Sequence, residues 1–113
     1  MGGARVGAVG TLAIMFVLEL TYTAPLAEVD ALMSEHMAWV DAQYAAGVFL
    51  ASGRKRPRDG GVILAVADSR EAIEGVAASD PFAVGRVCEY RITEFAATRV
   101  AEGLGAYRET VGA

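Results

Sequence analysis

His36 and Asp80 are the two residues of this 113-residue chain best suited to moving protons. A histidine titrates near neutrality, and a carboxylate on one ring nitrogen fixes the tautomer and raises the basicity of the other, as a general base requires. Val29, Met33, His36 and Val40 recur at helical spacing, so the chain's single histidine lies in an apolar stripe that must face a sheet. Two roles fit that placement: a core histidine satisfied by a backbone carbonyl, or a base at the floor of a cavity. Asp80 precedes Pro81 and is either a helix-ending turn residue or the carboxylate that orients His36.

A second group lies around position 54. Ser52 and Gly53 close a short apolar run, where small residues admit a ligand near the backbone and also suit an ordinary turn. Arg54, Lys55, Arg56 and Arg58 then gather four of the ten cations of an acidic chain. That run is either a solvated loop or an anion-gathering lip, with Ser52, Gly53, Arg54 and Arg56 as substrate-binding candidates. Trp39 and Tyr44 read as core or interface residues, and Cys88 as a small buried hydrophobe. Glu19 is a solvated strand position or a polar group in an interface.

Composition narrows the classes. A chain of this length holds one domain, and 54% hydrophobic residues exceed what a small monomer needs, which points to a subunit interface. A net charge of −4 argues against a nucleic-acid partner, and one cysteine with one histidine cannot build a structural zinc site or an intrachain disulfide. The apolar start is interrupted by Arg5, glycines and Glu19, so neither a signal peptide nor a membrane span is expected. A cytoplasmic protein is the resulting expectation.

The elements that must carry these residues follow from periodicity. Residues 1–14 are glycine-rich and unpatterned, an extension that an internal start at Met15 would explain, with an ordered N-terminal strand as the other reading. Phe16 to Tyr22 alternates as a strand, and Leu26 to Tyr44 reads as one long helix after Pro25, stopped by Gly47. Val48–Ser52 and Val62–Ala67 form a hairpin around RKRPRDGG. A helix capped by Asp68 or Ser69 runs to Ala78, and a last strand runs from about Arg86 to Phe95. The order βαββαβ predicts an α+β, ferredoxin-like domain: a four-stranded antiparallel sheet with two helices on one face. The other face is expected to be open, with Val17, Phe49 and Ile63 on it, and to be buried against a second copy. Residues 97–113 are expected to form a docking helix or to fray.

His36 within SEHMAWV, Gly47, VFLASG, GGVILAVADS and SDPFAVGRVCEYRI, in that order over residues 15–96, resemble a YCII-related domain. The resemblance implies a dimeric α+β barrel with a His–Asp site matching His36 and Asp80, and no cofactor. Relatives of known activity include a dehydrochlorinase of chlorinated-aromatic breakdown. The basic RKRPRD insert and both terminal extensions depart from the family pattern, so substrate specificity is not carried over.

Two classes of function follow. One is a cofactor-independent lyase or isomerase, acting on a small anionic metabolite with His36 as base and Asp80 as orienter. The other is a non-catalytic dimeric binding or accessory module. Cofactor-free oxygenase chemistry would rest on fold analogy alone.

Overall fold

A computed structural model describes residues 13–110. Nine elements follow in order: β1 (Ile14–Tyr22), α1 (Leu26–Ala31), α2 (Met33–Ala45), β2 (Phe49–Arg54), β3 (Gly60–Ala67), α3 (Arg70–Ala78), α4 (Pro81–Val84), β4 (Cys88–Phe95) and a 3₁₀ segment, Glu102–Tyr107. The strands form one antiparallel sheet in the order β2-β3-β1-β4, the ferredoxin-like arrangement expected from βαββαβ. β1 is central, pairing Leu18 with Ile63 on one side and with Ile92 on the other.

Strand alternation divides the sheet into two faces. Phe16, Leu18 and Leu20 of β1, with Ile63 and Ala65 of β3, pack under the helices against Val29, Val40, Ile73 and Phe82. Phe49 joins this core, 3% exposed like Ile63, so neither residue lies on the open face expected of them. Their registers explain it: Ile63 pairs with Leu18, and Phe49 with Ala65, both helix-side positions, while a bulge between Phe49 and Ala51 resets β2. Val17, between inward Phe16 and Leu18, does face outward.

The outer face is partly covered. Ala13, Met15, Val66 and Ala97 form a second buried cluster, with Leu50, Leu64, Val100 and Tyr107 packed against it. The C-terminal segment therefore docks on the sheet through a 3₁₀ turn, and Glu109 N–H closes it by donating to Ala97 O at 2.9 Å. Ala13 and Ile14 belong to the folded unit, and the rest of the expected 1–14 extension lies outside the described residues.

The single helix expected over Leu26–Tyr44 is two. Leu32 leaves helical geometry (φ −105°, ψ 3°), and its N–H bonds Val29 O three residues back, a tightened turn. The ends of the expected stripe, Leu26 and Tyr44, are 43% and 40% exposed; its middle carries the packing. Gly47, at φ +79°, ends the helix in the left-handed region. Gly60 passes so close to β1 that a Cβ there would lie 1.8 Å from Leu20 O, so only glycine permits β3 to pair with β1 at this end.

Candidate functional site

The dipeptide Asp80-Pro81 fixes the site. Asp80 is the N-cap of α4 and Pro81 its first residue, a pairing that suits a helix start because proline has no N–H to lose. Phe82 N–H donates to Asp80 Oδ1 at 2.9 Å, which locks the carboxylate's rotamer. The chain then brings α4 against the first turn of α2, and His36 Nδ1 meets the same Oδ1 at 2.8 Å. Tyr90 of β4 donates to Oδ2 at 2.5 Å. Asp80 is 0% exposed, and these three donors compensate a carboxylate that would otherwise be costly to bury.

The imidazole is held on its flat sides as well. Its ring stacks on Phe82 with centroids 3.9 Å apart and planes 5° from parallel, and Trp39 lies 5.6 Å away. Trp39 Nε1 donates to Ser79 Oγ at 2.9 Å, and Ser79 Oγ donates to Val76 O, so α2 is pinned to the end of α3 beside Asp80. His36 is 12% exposed, and its remaining exposure is toward a cavity of about 270 Å³. With Nδ1–H given to Asp80, Nε2 is the nitrogen free to accept a proton.

The cavity lies between α2 and the β2–β3 side of the sheet. Met33, Met37 and Val40 cover it; Leu20, Ile63 and Phe82 supply apolar walls; Ser52, Gly53 and Arg54 bound it on the β2 edge. His36, Ser52, Gly53 and Arg54 are thus gathered around one space, with Asp80 behind the histidine. Arg56 is exposed and lies off the cavity wall. The rest of the basic run is turned elsewhere. Lys55 Nζ donates to Glu19 Oε2 at 3.1 Å and to Thr21 Oγ1 at 3.2 Å, and Arg58 pairs with Asp30, whose carboxyl it holds below its ordinary value.

Two neighbours of Asp80 are strongly perturbed. Burial, and secondarily the Asp80 carboxylate, pushes the Cys88 thiol up to about 12, so Cys88 is protonated and unreactive at neutral pH. The same two causes, in the same order, push the Tyr90 phenol far above its usual range, which keeps it a hydrogen-bond donor. Neither Tyr90 nor Phe82 is among the site residues that the sequence pattern suggests. The available signal was the hydroxyl itself, since an inward-facing tyrosine needs a partner for its O–H.

The family model of the YCII-related domain matches residues 15–96, and the chain belongs to that family. Among solved structures, the chain resembles 5-chloro-2-hydroxyhydroquinone dehydrochlorinase (TftG) from Burkholderia phenoliruptrix AC1100, determined with 2,5-dihydroxybenzoquinone. That likeness has a TM-score of 0.63 at 13% identity, covering 72% of this chain and 92% of that one. SnoaB, a cofactor-independent oxygenase from Streptomyces nogalater, aligns with a TM-score of 0.49 at 19% identity over 81% of this chain and 99% of its own. At 13% identity the likeness to the dehydrochlorinase establishes the shared fold. No curated protein sequence matches the chain.

Proposed function

We propose that this protein is a cofactor-independent acid–base catalyst, a lyase or isomerase for a small anionic organic molecule. The observation that carries the reading is the His36–Asp80 contact: a buried carboxylate holds Nδ1 at 2.8 Å and leaves Nε2 as the free nitrogen beside the cavity. His36 would take a proton from a carbon next to a carbonyl, and the electron pair would move onto the carbonyl oxygen. In an elimination that pair returns to form a carbon–carbon double bond and expels an anion from the adjacent carbon. In an isomerisation the imidazolium gives its proton back at a different carbon. Asp80 supports the imidazolium in both, and the apolar walls strengthen that support by excluding water. The presence of a dehydrochlorinase on the same fold accords with this chemistry.

A deuterium wash-in experiment tests it. In D₂O the protein should catalyse exchange of the protons next to the ketone of 3-oxocyclohexanecarboxylate, and His36→Gln should slow that exchange by about 100-fold. Equal exchange by the variant would remove the base assignment.

A second reading, a dimeric binding or accessory module, is favoured by one observation. The imidazole stacked on Phe82 and tied to an N-cap is also how a purely structural histidine would be packed. It predicts binding without exchange. For assembly, the part of the outer sheet face that the C-terminal segment does not cover bears Val17, Val62 and Phe95 around Glu19 and Arg91. We propose that this part packs on a second copy to give the dimeric α+β barrel.

A further inference from the structure

One row of residues crosses the helix-side face of the sheet: Arg54, Gly61, Leu20 and Tyr90, one from each strand in spatial order. At its β4 end Tyr90 holds Asp80, and through Asp80 the row reaches His36. At its β2 end stands Arg54. Among the described residues it is the one permanently charged side chain on the cavity wall. Lys55 and Arg58 are tied to Glu19 and Asp30, so the basic run delivers a single cation to this space.

Ser52 lies two residues before Arg54 and so on the same strand face, and its Oγ is 2.7 Å from Tyr44 OH. When Tyr44 donates in that pair, the Ser52 hydroxyl is free to donate into the cavity. Opposite Arg54 the sheet carries Gly61, which puts no side chain beside it on this face.

We propose that Arg54, Ser52 and Tyr44 form a carboxylate-binding subsite, and that the substrate class is a compact, one-ring monocarboxylate. The guanidinium fork offers two parallel N–H donors to two coplanar oxygens, and Ser52 adds a third donor. A single guanidinium matches the one charge of a carboxylate, whereas a phosphate dianion would have one charge without a cationic partner on the cavity wall. A volume of about 270 Å³ falls just below the range of about 300–1,000 Å³ that suits drug-sized ligands, which leaves room for a ring with small substituents. Three strand spacings of about 4.8 Å separate the two ends of the row, so a carboxylate anchored at Arg54 would present its ring carbons toward His36. That last presentation rests on the acid–base reading, whereas the subsite does not.

Calorimetric titration of the full chain with benzoate, benzamide and phenyl phosphate tests the subsite. Benzoate should bind at least about tenfold more tightly than benzamide, Arg54→Gln should erase that preference, and Arg56→Gln should change it by less than about twofold. Tyr44→Phe should weaken benzoate several-fold without altering the circular dichroism. The subsite is overturned if benzoate does not bind by about 50 mM. It is equally overturned if benzamide or phenyl phosphate binds as well, or if Arg56→Gln costs as much as Arg54→Gln. His36→Gln should leave benzoate affinity within about threefold, so failure of the base assignment in the exchange experiment leaves the subsite standing. Loss of the benzoate preference likewise says nothing against His36.

Discussion

Tyr90 donates its hydroxyl proton to Asp80 Oδ2 at 2.5 Å, on the oxygen that His36 does not touch. The two oxygens share one charge, so a donor on Oδ2 draws charge away from the Oδ1 that supports the imidazole. Tyr90→Phe should therefore strengthen the His36–Asp80 hydrogen bond, read by NMR as a downfield shift of the His36 Nδ1–H resonance relative to the native protein. A stability loss of about 1–3 kcal/mol should accompany it, because a buried carboxylate oxygen loses its partner. A variant less stable but with an unmoved Nδ1–H resonance would make Tyr90 a packing residue only.

Alkaline pH should destabilise the fold. Cys88 titrates near 9.0 when unfolded and is pushed up to about 12 in the native state, and Tyr90 is raised from 10.0 as well. Between those values the unfolded chain has lost protons that the native chain keeps, so the unfolding free energy falls as pH rises above about 9. Urea melts at pH 8 and pH 10.5 should show this fall, and Cys88→Ala should flatten it. The same burial should make Cys88 slow to alkylate with iodoacetamide at pH 8 until denaturant is added.

Gly60→Ala should cost about 3 kcal/mol, since the new methyl would collide with the Leu20 carbonyl and force β1 and β3 apart. Gly53→Ala meets nothing within 4 Å and should cost far less. Thermal melts of the two variants make the comparison, and equal melting points would refute the close-approach explanation.

Light scattering should find a homodimer burying about 1,600 Å² or more in total. Replacing Val62, 41% exposed on the outer face, by Lys should shift it toward monomer while leaving the circular dichroism unchanged. A native protein that is monomeric at micromolar concentration would remove the barrel assembly.

The strand and helix order was legible because alternation at Phe16–Tyr22 and the cap at Ser69 are local signals, whereas the short helix that Asp80 caps reads in the sequence only as a turn before Pro81. The contact of His36 with Asp80 was legible only as a topological possibility, since 44 residues separate them and the sheet decides whether they meet. What escaped was set by pairing register. The bulge after Phe49 turned that residue inward, and the same register put Ile63 beneath the helices. The basic run reads as a solvated loop or as one lip, and its placement divides it, sending Lys55 across to Glu19 and leaving Arg54 at the cavity. The docking of Ala97, Val100 and Tyr107 on Met15 and Val66 had no periodic signature, because a 3₁₀ turn is too short to show one.

The decisive comparison is a cycle on His36 and Asp80. His36→Gln keeps a polar side chain of similar reach but removes the imidazole that would take the proton, so a structural histidine should register as lost stability and a catalytic one as lost turnover. For the catalytic role, exchange of 3-oxocyclohexanecarboxylate should fall by about 100-fold or more while stability falls by only about 1–2 kcal/mol. Asp80→Asn leaves an oxygen able to accept from Phe82 N–H, and so to cap α4, but withdraws the charge that supports a protonated imidazole. Its effect on exchange should be smaller alone. Combined with His36→Gln it should add almost nothing, because a carboxylate that acts through the imidazole has no role once the imidazole is gone. Fully additive losses would mean that the two side chains act separately, and the His36–Asp80 hydrogen bond would then be a feature of packing.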